Sequence, residues 1–357
     1  PTDILRDVRE QLVNGAHAHR REHLLLSPEI RQLVQCDFLL PLGAPRRITR
    51  VFNVRRVGSV GHRHTLNRPN GVSRDSMRVA ISASDAFVAP YIAEMLGDSA
   101  VVVPDEALSD ATSLDAMLTP CSALIHINSR PADTSVGRTD REAYITMREA
   151  SRPILDAVDR HGGLHLVILG TLRVHPQWSA GEAYYGLEST LAPRDTAAEG
   201  QLWMEENALE RAEAERPVSI VRASNVQGMP LEGPPGNGLL HRWAEECQIG
   251  WINIPGDGSD IKDFIHVEDL VRVVDAVLSS PPPTRESIAV GSGKGISMED
   301  LASIYQQRTG CDLEFGQSDE EEVFGIVDAW GLEERFGFRP QISLEEMIGE
   351  AFEAAGH

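Results

Sequence analysis

Lysine is the scarcest charged residue in this sequence, and it occurs only at Lys262 and Lys294 among 357 residues. The 33 basic residues are therefore almost all arginine, and they face 54 acidic residues, which gives a formal net charge of −21. Nucleic-acid binding needs a basic surface that neutralises phosphates. The charge balance therefore argues against a nucleic-acid partner.

Cysteines and long apolar runs are also few. The four cysteines stand far apart and form no CxxC pair, so we expect small core residues rather than a disulfide or a zinc site; they are Cys36, Cys121, Cys247 and Cys311. No stretch approaches the ~20 apolar residues that a membrane span needs. The charged N-terminus has no apolar signal-peptide core. We expect a cytoplasmic protein with no membrane partner.

Residues 1–75 form an N-terminal extension that is basic, with 13 arginines against 7 acids, whereas the rest of the chain is strongly acidic. Apolar spacing predicts two helices in residues 1–35, and Ile48–Val54 is a short β-like run. Two interpretations remain open. The extension packs on the acidic body of its own dimer, or it docks an acidic ligand or partner.

Histidines cluster twice in this extension, where metal ligation competes with ordinary solvated positions. No matching cysteine or carboxylate pattern accompanies them, so we predict no metal site; the residues are His17, His19, His23, His62 and His64.

From Met77 onwards, buried-type strands alternate with helices. This alternation predicts a doubly wound, Rossmann-like parallel sheet in residues 76–225, with a smaller C-terminal α/β substrate lobe in residues 226–357 interleaved with it. The predicted strands are 77–82, 100–103, 123–128, 164–169 and 218–223, and the predicted helices are 86–96, 113–118, 141–161 and 197–215.

Six segments in order resemble the extended short-chain dehydrogenases, the NAD-dependent epimerase/dehydratase family acting largely on nucleotide sugars. The resemblance runs from Met77 to about Phe352. The segments read MRVAISASDAFVAPYIAEML, ALIHIN, LVILGTLRVHP, SIVRASNVQG, GDGSDIKDFIHVEDLVRVV and FGFRPQISLEEMI. The resemblance implies the Rossmann-like fold, a small-molecule substrate, and a homodimer formed through helices 141–161 and 197–215.

The resemblance also implies where a dinucleotide would bind, and these positions are altered. Three alanines, Ala83, Ala86 and Ala89, replace the family's GxxGxxG glycines, whose lack of a side chain lets the backbone approach the pyrophosphate. Only Glu106–Thr112 separates the second strand from the next helix, so the sheet is expected to lack a strand. The cofactor therefore stays unknown, with these changes arguing against NAD(P). The implied contacts are Ser82, Ala83, Ala86, Phe87, Asp105 and Asn128.

The family's catalytic YxxxK pair does not occur in this chain. In that pair the tyrosine is the acid/base and the lysine lowers its pKa. Counting back from Ala198-Glu199 places the two positions at Leu191 and Asp195. Thr171 retains the family's Ser/Thr. The other groups available for catalysis are His175, Tyr184, Tyr185 and Asp195; the two tyrosines either replace the lost acid/base or simply pack in an inserted loop.

The implied substrate contacts are mixed. Asn225 matches the family's substrate-contacting asparagine, and Lys262 replaces an arginine that usually meets nucleotide phosphates, which keeps the charge but loses the bidentate fork. The acidic run SDEEEVFG stands where a further phosphate-binding arginine is expected.

Three functions follow from these observations. The leading hypothesis is a diverged small-molecule enzyme with non-redox chemistry of the lyase, isomerase or cyclase type in specialised biosynthesis. The first alternative is an NAD(P)-dependent epimerase, dehydratase or reductase with a relocated acid/base. The second is a non-catalytic scaffold or regulatory pseudoenzyme.

Overall fold

The computed structural model describes residues 77–82, 87–127, 140–176, 184–185, 189–231, 238–316 and 325–356. The chain divides into two units, Pro1–Asn67 and Arg68–His357, and all described residues belong to the second. The helices expected in residues 1–35, the run Ile48–Val54 and both histidine clusters lie outside the described residues.

The strands and helices alternate as the sequence predicts. The strands are β1 (Arg78–Ser82), β2 (Ala100–Val102), β3 (Cys121–Ile127), β4 (His165–Thr171), β5 (Tyr184–Tyr185), β6 (Val218–Ala223), β7 (Asn225–Gln227), β8 (Trp251–Ile254), β9 (Ile261–His266), β10 (Arg285–Val290), β11 (Gly295–Ser297), β12 (Asp312–Phe315) and β13 (Ile326–Val327). The helices are α1 (Ala89–Leu96), α2 (Asp105–Leu108), α3 (Ala111–Leu118), α4 (Asp140–Arg160), α5 (Thr196–Glu210), α6 (Leu239–Ile249), α7 (Val267–Ser279), α8 (Met298–Thr309), α9 (Trp330–Phe336) and α10 (Leu344–Ala355).

Six parallel strands form the central sheet in the order β10-β6-β4-β3-β1-β2, which confirms the predicted doubly wound fold. The strands are nearly continuous apolar runs because helices cover both faces. Alternate residues of β1 show this: Val79 and Ile81 pack with α1, α7 and α9, whereas Ala80 packs with α3, α4 and α5.

The sheet ends at β2, as the short Glu106–Thr112 connection predicts. β2 pairs only with β1, and among the described residues no strand lies on its other side. The chain passes from β2 through α2 and α3 directly to β3, which pairs with the opposite edge of β1. β1 and β3 therefore flank the point where the strand order reverses, and ligands of doubly wound sheets bind at the carboxyl ends of such strands.

Two predicted helix limits were wrong. The first helix begins at Ala89 rather than Ala86, with Pro90 in its first turn, where the missing N–H costs no helical hydrogen bond. The helix expected over residues 197–215 ends at Glu210, and the chain then turns through a β-bridge between Glu213 and Arg216. The turn brings β6 back into the sheet.

The C-terminal lobe has its own core, in which α6, α8 and α10 pack around β8, and the buried side chains include Trp243, Phe264 and Tyr305. Its strands form small sheets, β11-β9-β7 and β12-β8. β10 and α7 lie between these elements in sequence but belong to the central sheet and its covering layer. The two parts are therefore interleaved in the chain.

Candidate functional site

The carboxyl ends of β1 and β3 carry a buried polar pair. Ser82 Oγ lies 2.8 Å from His126 Nδ1 and 3.4 Å from the carbonyl oxygen of Ile125. His126 Nε2 is buried without a hydrogen-bond partner. Burial lowers the pKa of His126 to about 4, so the ring is neutral at neutral pH. An unpartnered polar atom in this position makes the switch point of the sheet a natural place for a ligand.

The other implied cofactor contacts are only partly described. Phe87 packs edge-on against Tyr91, with ring centroids 5.9 Å apart, and Asp105 is an exposed residue in the first turn of α2. Ala83, Ala86 and Asn128 lie outside the described residues. Val88, the N-cap residue of α1, makes no side-chain cap hydrogen bond, and Pro90 in the first turn has no N–H, at the positive end of the helix.

Thr171 ends β4, and its Oγ1 accepts a hydrogen bond from the backbone N–H of Arg173 at 3.3 Å. The neighbouring residue is a glycine because α5 crosses directly against it. A Cβ on Gly170 would overlap the side chains of Gln201 and Glu205. The strand end that carries Thr171 is therefore in contact with one face of α5.

The positions counted for the family's tyrosine and lysine, Leu191 and Asp195, both precede α5, which begins at Thr196. Asp195 caps this helix and accepts the N–H of Ala198 at 2.8 Å and Arg173 Nε at 2.7 Å. The face of α5 that meets Gly170 carries Gln201 and Glu205. The assignment of the two positions stays a prediction, and the sequence contains no YxxxK pair.

A buried charged network lies between α5 and the ends of β4 and β6. Glu205 accepts hydrogen bonds from Gln201 Nε2 at 2.8 Å and from Arg222 Nε at 2.9 Å. Burial raises the pKa of Glu205, and the nearby Arg222 opposes this shift. Arg222 Nη1 also lies 3.5 Å from His175 Nε2. Sequence analysis missed Gln201, Glu205 and Arg222, although the paired acid and base could have been noticed as unusual residues in apolar segments.

His175 and Tyr185 form a packed aromatic pair rather than an open reactive surface. Their ring centroids are 5.0 Å apart, and His175 Nδ1 lies 2.9 Å from the carbonyl oxygen of Thr190. Tyr185 donates its hydroxyl to the carbonyl of Pro176 and accepts from Arg194 Nη2 at 2.8 Å. Burial lowers the pKa of His175 to about 4. For Tyr184 the structure describes the strand but not the side chain.

The substrate-side residues meet at β9. Asn225 Nδ2 donates to the carbonyl of Asp263 at 2.9 Å, and Lys262 precedes Asp263 on the same strand. The Asp263 carboxylate accepts backbone N–H groups of Ser292, Gly293 and Val327 at 2.8–3.0 Å, although burial raises its pKa. Asp263 therefore holds the turn after β10 and strand β13 against β9. It was overlooked in the segment GDGSDIKDFIHVEDL, where only Lys262 was considered.

A cavity of about 250 Å³ opens where Phe87, which precedes α1, meets α6, α10, β7 and the segment after β7. Its wall is mainly apolar, with Phe87, Val226 and Met347, and includes the polar side chains of Gln227, His241 and Glu350. It lies between the central sheet and the C-terminal lobe. Such a concave, mostly apolar cleft with a few polar groups is the usual form of a small-molecule site.

Two negative results apply to the described part of the chain. No group of three or more histidine, cysteine, aspartate or glutamate side chains is arranged to hold a metal ion. No helix there is long and apolar enough to cross a membrane.

The family model described as "NAD dependent epimerase/dehydratase family" matches residues 99–291, which is more than half of the chain, and this protein belongs to that family. It is similar to a dTDP-L-rhamnose 4-epimerase of Burkholderia thailandensis, with 27% identity over 44% of this chain and 46% of the relative. It is also similar to a dTDP-glucose 4,6-dehydratase of Streptomyces griseus, with 24% identity over 60% of this chain and 66% of the relative. The chain thus spans about half to two thirds of the length of these relatives.

Among solved structures, the fold matches MoeE5 in complex with UDP-glucuronic acid and NAD. The TM-score is 0.65 at 19% identity, and the match covers 78% of this chain and 98% of MoeE5. At this identity the likeness supports the fold alone.

Proposed function

We propose that this chain binds a nucleotide-linked sugar in the cleft between the central sheet and the C-terminal lobe, and modifies it by NAD(P)-dependent epimerase, dehydratase or reductase chemistry with the acid/base group outside α5. The observation that carries the proposal is the family match over residues 99–291, which includes the strand end with Thr171 and the β7–β9 pair with Asn225. Both named relatives act on dTDP-linked sugars.

The residues present fit a dinucleotide in part. The uncapped start of α1 and the polar strand ends Ser82 and His126 suit its diphosphate and ribose groups. The helix face next to the end of β4 carries Gln201 and Glu205, and the chain contains no YxxxK pair for the usual proton transfer. When bound, NAD(P) would supply hydride transfer. The chain would supply binding, orientation and a proton-transfer group from another segment.

Tyr184 is our candidate for that group, because the hydroxyl of its neighbour Tyr185 is already hydrogen-bonded to Pro176 and Arg194. We predict that Tyr184→Phe lowers turnover of a dTDP- or UDP-sugar by about 10²–10⁴-fold, the usual contribution of a general acid/base, without weakening dinucleotide binding. Tyr185→Phe is the matched control and should retain most of the turnover. Full activity in the double variant would exclude a tyrosine relocated from α5 to this segment.

Dinucleotide binding itself is tested by native mass spectrometry and thermal scanning of the full chain against NAD, NADH, NADP and NADPH. A ligand at 100 times its Kd stabilises the folded state by about 2.7 kcal/mol, which gives a visible rise of the melting midpoint. A dinucleotide mass or such a rise supports the proposal. The proposal is contradicted if none of the four dinucleotides gives either a bound mass or a rise of the melting midpoint.

That negative outcome would favour a second candidate, non-redox chemistry of the lyase, isomerase or cyclase type on a small molecule in the same cleft. The observation in its favour is the combined absence of a YxxxK pair and replacement of the glycine turn by alanines. Turnover of a nucleotide sugar with no dinucleotide present would distinguish it from the first candidate.

A further inference from the structure

Two buried cysteines lie side by side in the C-terminal lobe. Cys247 is in the last turn of α6, and Cys311 follows the glycine that ends α8, 64 residues later in the chain. Their sulfur atoms are 3.0 Å apart, and the residues are 6% and 3% exposed. Since a disulfide bond is about 2.05 Å long, each sulfur would have to move by only about half an ångström to form one.

The backbone around both cysteines is already fixed. Cys247 accepts the N–H of Gly250 at 3.1 Å, and Cys311 receives a hydrogen bond on its carbonyl from Gln306 Nε2 at 3.2 Å. Asp312 donates its N–H to Gly250 at 2.8 Å, which joins the two chain segments where β8 and β12 begin. The two thiols therefore face each other because of packing that does not depend on a bond between them.

We propose that Cys247 and Cys311 are a disulfide-forming pair that covalently joins α6 to the turn between α8 and β12. The oxidant is a disulfide such as oxidised glutathione or a protein disulfide. One protein thiolate attacks it, forms a mixed disulfide and releases one thiol, and the second protein thiol then attacks and releases the other. Two protein thiols are oxidised with loss of two protons, and one disulfide is reduced to two thiols.

The pair differs from the other described cysteine. Cys121 begins β3, is half-buried, and its Sγ donates to the carbonyl of Met117 at 3.3 Å. Burial and the neighbouring Cys311 raise the pKa of Cys247 to about 12, so little thiolate is present in the folded protein. Oxidation is therefore expected during folding or local opening, and slowly in the closed lobe.

The disulfide bond would also restrict the movement of the cavity wall that α6 forms. α6 begins at the cavity, where Leu240 and His241 line the wall, and it ends at Cys247. Joining its far end to the α8–β12 turn would fix this wall relative to the rest of the lobe. Reduction would leave the wall held by noncovalent packing alone.

The test uses the full chain, refolded from denaturant with either excess dithiothreitol or oxidised glutathione. We expect the glutathione-treated protein to lose about 2 Da, one pair of hydrogens, and two of its four titratable thiols. Peptide mapping without reductant should recover a Cys247–Cys311 cross-link. The oxidised form should melt about 5–10 °C above the reduced form, because the bond constrains the unfolded chain.

Cys121→Ser serves as the matched control and should leave the cross-link and the melting difference unchanged. Cys247→Ser should remove both. If a serine variant fails to fold, peptide mapping of the unaltered chain still tests whether Cys247 and Cys311 form the cross-link. Four free thiols after oxidative refolding, or a cross-link through Cys36 or Cys121 instead, would overturn the proposal.

Discussion

At the scale of single residues, the ion pair between Glu205 and Arg222 is the most deeply buried of those that the described residues form. Its side chains are 0% and 6% exposed, and Arg222 Nη2 lies 2.8 Å from Glu205 Oε2. Removing one partner of such a pair leaves a buried charge with no counterion, whereas removing both leaves none. The pair therefore fixes the distance between α5 and β6 beside the strand end that carries Thr171.

We predict that Arg222→Met lowers the free energy of unfolding by about 3–5 kcal/mol, measured by urea denaturation at neutral pH. Adding Glu205→Gln should recover part of this loss. The matched control is Arg211→Met, which breaks a more exposed pair with Asp159 and should cost no more than about 1 kcal/mol. Equal losses in the two single variants would show that burial does not set the cost.

Buried histidines give the protein a specific pH dependence. Burial lowers the pKa values of His126, His165 and His175 to about 4, against about 6.5 in an unfolded chain. Between these two values the unfolded chain binds protons that the folded protein does not. The contribution of these histidines to the free energy of unfolding is therefore fully present above pH 6.5. It is lost as the pH falls from 6.5 towards 4, and it changes no further below pH 4.

We predict that the free energy of unfolding falls between pH 6.5 and pH 4, and that His126→Asn makes this fall shallower by about 3 kcal/mol. Asparagine keeps a polar group near Ser82 but does not titrate. Urea unfolding at several pH values measures the difference between the two curves. Parallel curves for the variant and the unaltered chain would rule out His126 as a contributor.

At the scale of elements, helix α5 shows what the sequence could and could not predict. Its start was predicted within one residue, at 197 against Thr196, whereas its end was predicted at 215 and lies at Glu210. The start is set by Asp195, whose side chain caps the first turn. Its close approach to α4 depends on Gly200, where a Cβ would lie 2.7 Å from Met147 Cβ.

Two helix glycines should therefore respond oppositely to alanine. Gly349→Ala, on α10, meets nothing within 4 Å and should stabilise the protein by about 0.5–1 kcal/mol through helix propensity. Gly200→Ala should instead destabilise it by about 1–3 kcal/mol, because α4 and α5 must move apart. Thermal and urea unfolding measure both changes. Stabilisation by Gly200→Ala would mean that the two helices can separate at little cost.

At the scale of the whole molecule, the fold is that of its family, and β2 is the edge strand of the central sheet within the part of the chain that the structure describes. The described residues share cores on both faces of the sheet and a third core in the C-terminal lobe. The predicted homodimer through α4 and α5 stays a prediction, as does the acidic partner of the basic N-terminal segment.

We predict that a chain of residues 68–357 alone unfolds in a cooperative transition, because this unit contains all three cores. Circular dichroism during heating measures it, and the full chain is the reference. A broad, non-cooperative transition would show that residues 1–67 are needed for folding.

The sequence by itself determined the fold class and the family, because buried strands and helices leave regular apolar patterns and the six motifs keep their order. It also showed that no YxxxK pair exists. Only the tertiary structure decided that Asp195 caps α5 and that Gln201 and Glu205 lie against the end of β4, since these contacts depend on how the helix packs on the sheet. The Glu205–Arg222 and Cys247–Cys311 pairs likewise needed the structure, because chain folding joins residues that are 17 and 64 positions apart.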